Sequence, residues 1–323
     1  MSTKPRVSVV VPTFRRPALI ARCVTALLVQ TLRDDDYEIL VADDAGEPTL
    51  AARLAALPNP HGVRLDLVTV GPAHGPAAAR NAGWRAAQGE IVAFTDDDTI
   101  PAPDWLAAGL AAMREADAAT GRVTMALPTP CTDYARDAAG LTRAEFVTAN
   151  CFVRRAMLEQ IDGFDERYTE AWREDSDLHF ALLARGARLI RASAAVVDHP
   201  LRPAGFGVSL RQQRKIRFDA LLYRKYPRLY RERIRARPQW RYYAIVLAAA
   251  VALAGAVSGR WSVAAIAAAI WGALTLAFCL RRLRGTTRAP AHLAEMLLTS
   301  IAIPPLAVYW RAIGAWRFRS PLL

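Results

Sequence analysis

Two long stretches without a charged residue, joined by a short turn, constrain the fold of this chain more than any other feature. They cover residues 242–258 and 261–280 of a 323-residue chain. Each approaches the roughly 20 residues that a helix needs to cross the hydrocarbon core of a membrane. Aromatic residues of the kind that prefers membrane–water interfaces lie at their ends: Trp240, Tyr242, Tyr243 and Trp261. The pattern predicts a transmembrane hairpin, and the alternative is a pair of buried, alanine-rich core helices.

A third apolar segment, residues 293–310, contains a proline pair and is followed by arginines. Pro304 and Pro305 lie near its middle, where proline is expected to break a helix. Short loops rich in Lys and Arg stay on the cytoplasmic side, which places the basic residues before 242 and those of 281–288 inside the cell. A third crossing would put the later arginines outside, against this rule. We therefore predict a re-entrant or interfacial segment, in a multi-pass protein of the cell membrane whose N-terminal part is cytoplasmic.

The net charge of +12 is distributed unevenly along the chain. Residues 1–201 contain 21 basic and 27 acidic residues, a net charge of −6, whereas residues 202–323 contain 21 basic and 3 acidic residues, a net charge of +18. Basic chains bind nucleic acid, anionic lipid or phosphorylated ligands. Because the excess charge adjoins the apolar stretches, we predict contact with anionic membrane lipid and no binding of nucleic acid. The four cysteines are widely spaced, so neither a zinc site nor a disulfide framework is indicated.

The first 201 residues alternate short β-branched runs with helical segments, as successive βαβ units do. The predicted strands cover residues 7–11, 38–42, 64–70, 91–95 and 146–153, and the predicted helices include 17–30, 76–88 and 174–184. This order predicts an α/β fold with a mostly parallel sheet and helices on both faces. Ligands of such sheets bind at the carboxyl ends of the strands.

Three parts follow from these patterns. Residues 1–201 are predicted to form the α/β domain, residues 202–241 a basic, helical juxtamembrane segment, and residues 242–323 a membrane domain. The membrane domain contains both the predicted hairpin and the apolar segment at 293–310.

Three consecutive aspartates, Asp96, Asp97 and Asp98, directly follow the predicted strand at 91–95. Clustered carboxylates repel one another unless a cation offsets their charge, and their hard oxygen ligands favour Mg²⁺ or Mn²⁺. Alternate residues of an extended segment point the same way, so Asp96 and Asp98 share a face while Asp97 points elsewhere. A solvated loop or a helix cap is the alternative for such a turn. Its position at the end of a buried strand favours a metal site that bridges a diphosphate.

Six short motifs occur along this part of the chain: VSVVVPTF at 7–14, VADD at 41–44, ARNAG at 79–83, TDDD at 95–98, GFDE at 163–166 and REDSDL at 173–178. In their order and spacing, these motifs resemble those of the family 2 glycosyltransferases over roughly the first 200 residues. The resemblance implies the nucleotide-sugar-binding GT-A fold. It also implies inverting transfer of a sugar from a nucleotide sugar, with a UDP-sugar as the expected donor.

The resemblance assigns six residues to the nucleotide: Thr13, Arg15, Asp43, Asp44, Arg80 and Asp97. Asp43 or Asp44 would accept a hydrogen bond from the N3–H of a uracil-type base, and an Asx turn is the alternative. Thr13 and Arg15 would contact the base or the ribose. An arginine at position 80 of this alanine-rich helix is equally compatible with a solvated position.

His199 follows the last strand of the predicted α/β domain. The resemblance implies that a histidine at this point completes the coordination of the metal, together with Asp96 and Asp98. A histidine that is merely exposed or satisfied in the core is the alternative.

Glu174 and Asp175 form a second acidic centre at the start of a predicted helix. By the resemblance, Asp175 is the general base that takes the proton of the acceptor hydroxyl, and Glu174 is a neighbouring acceptor or positioning residue. An N-terminal helix cap is the alternative for the whole acidic cluster, which also includes Asp177.

These features together predict a membrane-anchored, metal-dependent inverting glycosyltransferase on the cytoplasmic face, with a lipid-linked or membrane-proximal glycan as acceptor. The segment QRKIRF at 213–218 departs from the Gln-x-x-Arg-Trp element of the processive synthases that share this fold, which favours addition of a single sugar. Two alternatives remain, a polyprenyl-phosphate sugar synthase and a non-catalytic membrane scaffold that binds nucleotide sugars.

Overall fold

The structure is a computed structural model that describes residues 4–72 and 74–322. The chain divides into two compact units. The N-terminal unit comprises Met1–Ala126 with Gly140–Leu201, and the C-terminal unit comprises Leu127–Ala139 with Arg202–Leu323. Residues 127–139 lie inside the predicted α/β domain, but they group with the C-terminal part of the chain.

The N-terminal unit is built on one sheet. Its strands are β1 (Val7–Thr13), β2 (Tyr37–Asp43), β3 (Arg64–Thr69), β4 (Ile91–Thr95), β5 (Ile100–Pro101), β6 (Ala118–Thr124), β7 (Asn150–Arg154) and β8 (Leu189–Asp198). They lie in the order β3-β2-β1-β4-β7-β6-β8-β5. Strands β3, β2, β1 and β4 are parallel, whereas β7 runs antiparallel to both of its neighbours. The predicted α/β class is confirmed, with a sheet that is mixed beyond β4.

The helices of both units are α1 (Pro17–Leu27), α2 (Leu50–Ala55), α3 (Pro76–Ala86), α4 (Trp105–Ala112), α5 (Asp133–Ala138), α6 (Arg155–Ile161), α7 (Glu174–Ala184), α8 (Val208–Gln212), α9 (Arg217–Lys225), α10 (Pro227–Leu229), α11 (Trp240–Val257), α12 (Trp261–Leu283) and α13 (Pro290–Phe318). Proline occupies the first turn of α1 and α3, where a backbone N–H would have no acceptor within the helix, so the absence of this N–H costs no hydrogen bond. The predicted starts of these two helices therefore agree with the structure.

The parallel half of the sheet sets the position of the site. All seven residues of β2 are buried, as expected for a parallel strand covered on both faces. In the register of β1 and β2, Thr13 pairs with Asp43, so the two strands end side by side. Strand β4 lies on the other side of β1, and its end leads directly into Asp96. The carboxyl ends of β1, β2 and β4 thus bring three of the predicted residues to one edge.

The strand predicted at residues 146–153 is wrong at its start, because β7 begins only at Asn150. Phe146 and Val147 are buried in the preceding loop, and the Phe146 ring stacks on His179 with the ring centroids 5.1 Å apart. A buried loop residue carries the same apolar signature as a strand residue. The hydrophobic run therefore does not mark where ladder pairing begins.

The buried side chain of Asn150 organises the other half of the sheet. Its Oδ1 accepts a hydrogen bond from Trp105 Nε1 at 2.8 Å, and its Nδ2 donates to the carbonyls of Arg122 and Ala195 at 3.0 Å each. These contacts connect β7 with α4, β6 and β8. They lie beside a register shift between Gly121 and Arg122, after which β8 runs on to Asp198.

In the C-terminal unit, α11 and α12 form a tight helical hairpin. A Cβ atom on Gly255 would lie 2.9 Å from the backbone nitrogen of Ala264, so glycine permits the close approach of the two helices. Helices α11, α12 and α13 are each long and apolar enough to cross a membrane. The predicted helical hairpin at 242–258 and 261–280 lies within α11 and α12.

Helix α13 runs without interruption through Pro304 and Pro305, so the predicted break at the proline pair is wrong. Pro304 is buried, and its neighbour Ile303 packs in a cluster with Ile245 and Phe278. Proline removes a backbone donor, yet the helix continues at this point, where Ile303 and Pro304 are packed against other residues of the unit.

A buried arginine holds the segment at 127–139 to the C-terminal helices. Arg282 donates to Asp133 Oδ2 at 2.8 and 3.0 Å, to Thr299 Oγ1 at 2.7 Å and to Ser300 Oγ at 3.1 Å. Asp133 lies in α5, and the two hydroxyls lie in α13. A buried charge is stable only when it is paired and hydrogen-bonded, so this network accounts for the grouping of α5 with the C-terminal unit.

Candidate active site

The predicted metal-ligand group, Asp96, Asp98 and His199, is brought together in the N-terminal unit. One potential ligand atom from each side chain lies within 4.8 Å of the other two. His199 follows β8, where its backbone N–H donates to the carbonyl of Thr124 at 2.8 Å. Its Nε2 lies 3.4 Å from Asp98 Oδ1, and its Nδ1 is buried without a hydrogen-bond partner among the residues described. The two carboxylates suit Mn²⁺ or Mg²⁺, and the imidazole nitrogen favours Mn²⁺ of the two.

Asp97 takes part in a different set of contacts, as the alternation of side chains predicts. Its Oδ2 accepts a hydrogen bond from Thr13 Oγ1 at 2.9 Å, and its Oδ1 accepts one from Arg16 Nη1 at 3.1 Å. Burial raises the pKa of Asp97, while Arg16 and the Thr13 hydrogen bond oppose that rise. Thr13 and Asp97 therefore join the ends of β1 and β4. Arg15, by contrast, is exposed, and its guanidinium lies over the ring of Phe14.

Arg80 is buried in the centre of the site, so the solvated alternative for this residue is wrong. Its Nη2 donates to Asp96 Oδ1 at 2.7 Å, and its Nη1 donates to Glu174 Oε1 at 3.3 Å. The guanidinium also lies 5.7 Å from the ring centroid of Phe164. One cation from α3 thus connects the aspartate turn after β4 with the first residue of α7.

Glu174 is buried, and one of its oxygens, Oε2, has no hydrogen-bond partner in the described part of the chain. Burial, supported by the negative charge of Asp175, raises the pKa of Glu174 to about 7, although the positive charge of Arg80 opposes the rise. The ion pair with Arg80 therefore offsets only part of the cost of removing this carboxylate from water.

Asp175 is the partly exposed acid of this turn. Its Oδ1 accepts hydrogen bonds from the backbone N–H of Ser176 at 2.6 Å and from the Ser176 hydroxyl at 3.2 Å. Arg173, just before α7, has a φ of 72°, a left-handed conformation that costs free energy in a residue with a side chain. Asp177 is buried and accepts a hydrogen bond from the Tyr168 hydroxyl at 3.2 Å. Of the three acids in the first turn, only Asp175 is open to an acceptor from solvent.

Asp43 is the last residue of β2 and Asp44 follows it, and both carboxylates accept hydrogen bonds from backbone N–H groups. Asp43 accepts hydrogen bonds from the N–H groups of Ala45 at 2.9 Å and Glu47 at 2.6 Å, one on each carboxylate oxygen. Asp44 Oδ2 accepts one from the N–H of Gly75 at 2.9 Å. Asp43 thus forms the Asx-type turn that was the alternative, and recognition of a base by either residue stays a prediction.

Two contacts in this site were missed by the sequence analysis. Arg16, and not Arg15, reaches Asp97, and nothing in two adjacent arginines distinguishes them. The pairing of Arg80 with Glu174 was also missed. The available signal was an arginine at position 80, next to three consecutive alanines of α3, together with two acidic turns elsewhere in the chain, since a buried arginine requires acidic partners.

Two family models match the chain. Residues 91–310 match the model described as "Glycosyl transferase family group 2", and residues 8–138 match the one described as "Glycosyl transferase family 2". The first match covers more than half of the chain. The chain belongs to the family 2 glycosyltransferases. It is therefore an enzyme of the nucleotide-sugar-dependent class that the motifs predict.

Individual proteins similar to this family 2 glycosyltransferase come from several organisms. Glycosyltransferase AglE of Haloferax volcanii is 28% identical over 231 residues, which are 67% of this chain and 73% of the relative. Succinoglycan biosynthesis protein ExoW of Rhizobium meliloti is 32% identical over 116 residues, only 35% of each chain. The solved structure of the mannosyltransferase PcManGT from Pyrobaculum calidifontis, in complex with GDP-Man and Mn²⁺, has a TM-score of 0.64 and 22% identity, covering 98% of this chain and 88% of that one. This likeness confirms the predicted GT-A fold.

The raised pKa of Glu174 predicts a measurable pH dependence of stability. The folded chain holds the carboxyl proton up to about pH 7, whereas the ordinary pKa of this side chain is 4.5. Between these values the folded state binds more protons than the unfolded state, so its stability falls as the pH rises. The Glu174→Gln variant lacks this contribution.

We expect the unfolding temperature of wild type, measured with a chelator present, to fall more steeply between about pH 5 and pH 7.5 than that of Glu174→Gln. An exposed acid on α6, Glu159, provides the control, because Glu159→Gln should follow the wild-type profile. Parallel profiles for wild type and Glu174→Gln would contradict the raised pKa.

Proposed function

We propose that this chain is a membrane-anchored, metal-dependent inverting glycosyltransferase of the cytoplasmic face, which transfers one sugar to a lipid-linked or membrane-proximal glycan. One observation carries the proposal. A single buried side chain, Arg80, contacts both Asp96 of the metal-ligand group and Glu174, the residue beside Asp175. A site that cleaves a sugar from a diphosphate and adds it to a hydroxyl needs both centres near each other.

Asp96, Asp98 and His199 would hold Mn²⁺ or Mg²⁺. The Nδ1 of His199 is buried and has no hydrogen-bond partner among the described residues, so this nitrogen is available to a ligand. The two carboxylates fit either ion, and the imidazole nitrogen fits Mn²⁺ better than Mg²⁺, which prefers oxygen ligands. When bound, such an ion neutralises the diphosphate leaving group. The similar structure of PcManGT contains Mn²⁺ together with GDP-Man, which supports the same use of the fold here. A UDP-sugar or a GDP-sugar is accordingly the proposed donor.

Asp175 would supply the base. Its carboxylate takes the proton of the acceptor hydroxyl while that oxygen forms a bond to the anomeric carbon. The bond from the anomeric carbon to the diphosphate breaks, and its electron pair leaves with the diphosphate oxygen. Asp175 suits this role better than Glu174, because Glu174 is buried and already paired with Arg80.

The contacts of α13 support an interfacial position for this helix. Near its start, Met296 packs with Cys279 and Leu283 at the end of α12. At its far end, the carbonyl of Phe318 accepts a hydrogen bond from Arg224 of α9 at 2.7 Å. One end of α13 thus contacts the end of α12, and the other end contacts α9, which precedes α11. Both of these segments lie on the predicted cytoplasmic side of the hairpin. We propose that α13 lies along the cytoplasmic surface and that only α11 and α12 cross.

Cysteine labelling tests this topology in a background with Cys131→Ser. Membrane-impermeant maleimide is expected to label Arg288→Cys and Ser320→Cys, at the two ends of α13, from the same side of sealed vesicles. Gly259→Cys, in the turn between α11 and α12, is the control and should react only from the opposite side. Labelling of positions 288 and 320 from opposite sides would show that α13 crosses the membrane.

Turnover by the purified full-length chain tests the function. A panel of nucleotide sugars is screened for thermal stabilisation with Mn²⁺, and the stabilising donor is then assayed for release of nucleoside diphosphate. We expect EDTA to reduce release to background, and added Mn²⁺ or Mg²⁺ to restore it. Release that is indifferent to EDTA would contradict metal dependence. Donor binding without any release, across lipid-linked and glycan acceptors, would favour the scaffold.

A further inference from the structure

Four arginines of the C-terminal unit have a buried side-chain nitrogen without a hydrogen-bond partner among the described residues, and of these four only Arg311 has two such nitrogens. Arg311 of α13 is only 3% exposed, and its Nε and Nη1 have no hydrogen-bond partner within the described residues. Arg235 precedes α11, and its Nη1 is likewise buried without such a partner. A buried donor without an acceptor destabilises the fold, and the cost is larger when the donor belongs to a charged group. These donors therefore suit a ligand that brings acceptors.

The same unit contains a buried arginine, Arg282, that differs from Arg311 because its side-chain donors have hydrogen-bond partners. Arg282 donates four hydrogen bonds to Asp133, Thr299 and Ser300. That pattern is what a purely structural arginine requires. Arg311 differs: its guanidinium carbon lies 5.7 Å from the ring centroid of Tyr242, and its Nε and Nη1 still lack an acceptor among the described residues.

The charges around Arg311 leave an excess of positive charge. Arg235, from the segment before α11, and Asp219, from α9, are the two charged groups with the largest electrostatic effect on Arg311. A single carboxylate facing two guanidinium groups leaves a net charge of +1. Asp219, Arg311 and Pro321 also line one depression on the surface of this unit.

We propose that Arg311 and Arg235 together bind a phosphate group, either of a membrane lipid or of a soluble phosphate compound. Guanidinium groups bind phosphate through pairs of parallel N–H donors, and phosphate supplies several acceptor oxygens and a negative charge. Tyr309 and Trp316 flank Arg311 on α13 and are exposed, at 55% and 80%, as residues next to lipid head groups are. This site lies in the C-terminal unit and is independent of the proposed catalytic function.

The test uses the full-length chain in an uncharged detergent and measures its unfolding temperature. Two probes distinguish the sources of phosphate. Inorganic phosphate is compared with chloride at equal ionic strength, and mixed micelles with phosphatidylglycerol are compared with micelles containing diacylglycerol. We expect at least one phosphate probe to raise the unfolding temperature by about 3 °C or more. A rise with phosphatidylglycerol alone assigns the site to lipid, and a rise with both assigns it to phosphate in general.

Three variants assign the effect to the site. Arg311→Met and Arg235→Met should each lose the shift, and Arg317→Met, an exposed arginine on the same helix, should keep it. Without a phosphate probe, Arg311→Met should unfold at the wild-type temperature or above, because it no longer buries unpaired donors. If Arg311→Met does not fold, the loss or persistence of the shift in Arg235→Met tests the proposal.

Two results would overturn the proposal. The first is the absence of any shift in wild type with either probe. The second is a shift that persists unchanged in both Arg311→Met and Arg235→Met. Because no readout depends on sugar transfer, failure here is distinct from failure of the proposed function.

Discussion

Replacing Asp175 by asparagine is expected to lower kcat for sugar transfer to a hydroxyl acceptor about 10²–10⁴-fold, the usual contribution of a general base. The amide keeps the size of the side chain and can still accept the hydrogen bonds from Ser176, so α7 should form normally. It cannot take up the acceptor proton. The KM for the nucleotide sugar should change little, because Asp175 is proposed to act on the acceptor. Initial rates of nucleoside diphosphate release, at saturating donor, measure the effect.

Two control variants separate the base from its surroundings. Ser176→Ala removes one hydrogen bond to Asp175 and should cost less than the loss of the carboxylate. Glu159→Gln changes an exposed acid on α6 and should leave kcat unchanged. Wild-type turnover by Asp175→Asn would refute the assignment of the base. If that turnover is seen with a polyprenyl phosphate as acceptor, it would favour the polyprenyl-phosphate sugar synthase, since a lipid phosphate is already ionised and needs little help from a base.

The N-terminal unit shows which parts of a fold can be read from sequence. Strands β1 and β4 and helix α3 begin where uninterrupted apolar runs or an initial proline predict them. The convergence of their ends was also predictable, because parallel strands end at one edge of a sheet. That rule brings Asp96 and Asp98 to the same edge. His199 lies with them in the structure. Its place was predicted from the resemblance to the glycosyltransferase family, because no periodic pattern in the sequence indicates it.

Other features had no signal in the sequence, for physical reasons. Alanine fits both an exposed and a buried helix face, so the pattern around Arg80 does not reveal that its side chain is buried. Asp43 and Asp44 are chemically alike, and only the chain path shows that Asp43 closes a turn on Ala45 and Glu47. In α13, the effect of the two prolines depends on tertiary packing, which local propensity does not contain.

Replacing a residue of the metal-ligand group should change the metal requirement. Substituting residues that merely support a metal ligand costs about 10–100-fold in metal affinity, so loss of a direct ligand should cost at least about 100-fold. We therefore expect Asp98→Asn and His199→Gln each to raise the Mn²⁺ concentration for half-maximal activity at least about 100-fold. Asp98 is buried, and its Oδ1 lies 3.4 Å from Nε2 of His199, so each substitution removes a potential ligand atom from this group.

The two neighbouring controls make this prediction specific. Asp104→Asn changes an exposed acid before α4, and Asp198→Asn changes the residue next to His199, whose carboxylate accepts a hydrogen bond from Thr124 Oγ1 at 3.2 Å. Both should keep the wild-type Mn²⁺ dependence. Titration of activity with Mn²⁺ after chelator treatment gives the half-maximal concentration for each variant. If the half-maximal Mn²⁺ concentration is unchanged for both Asp98→Asn and His199→Gln, the assignment of the metal to this site is refuted. A metal ion that loses a carboxylate or imidazole ligand must bind more weakly.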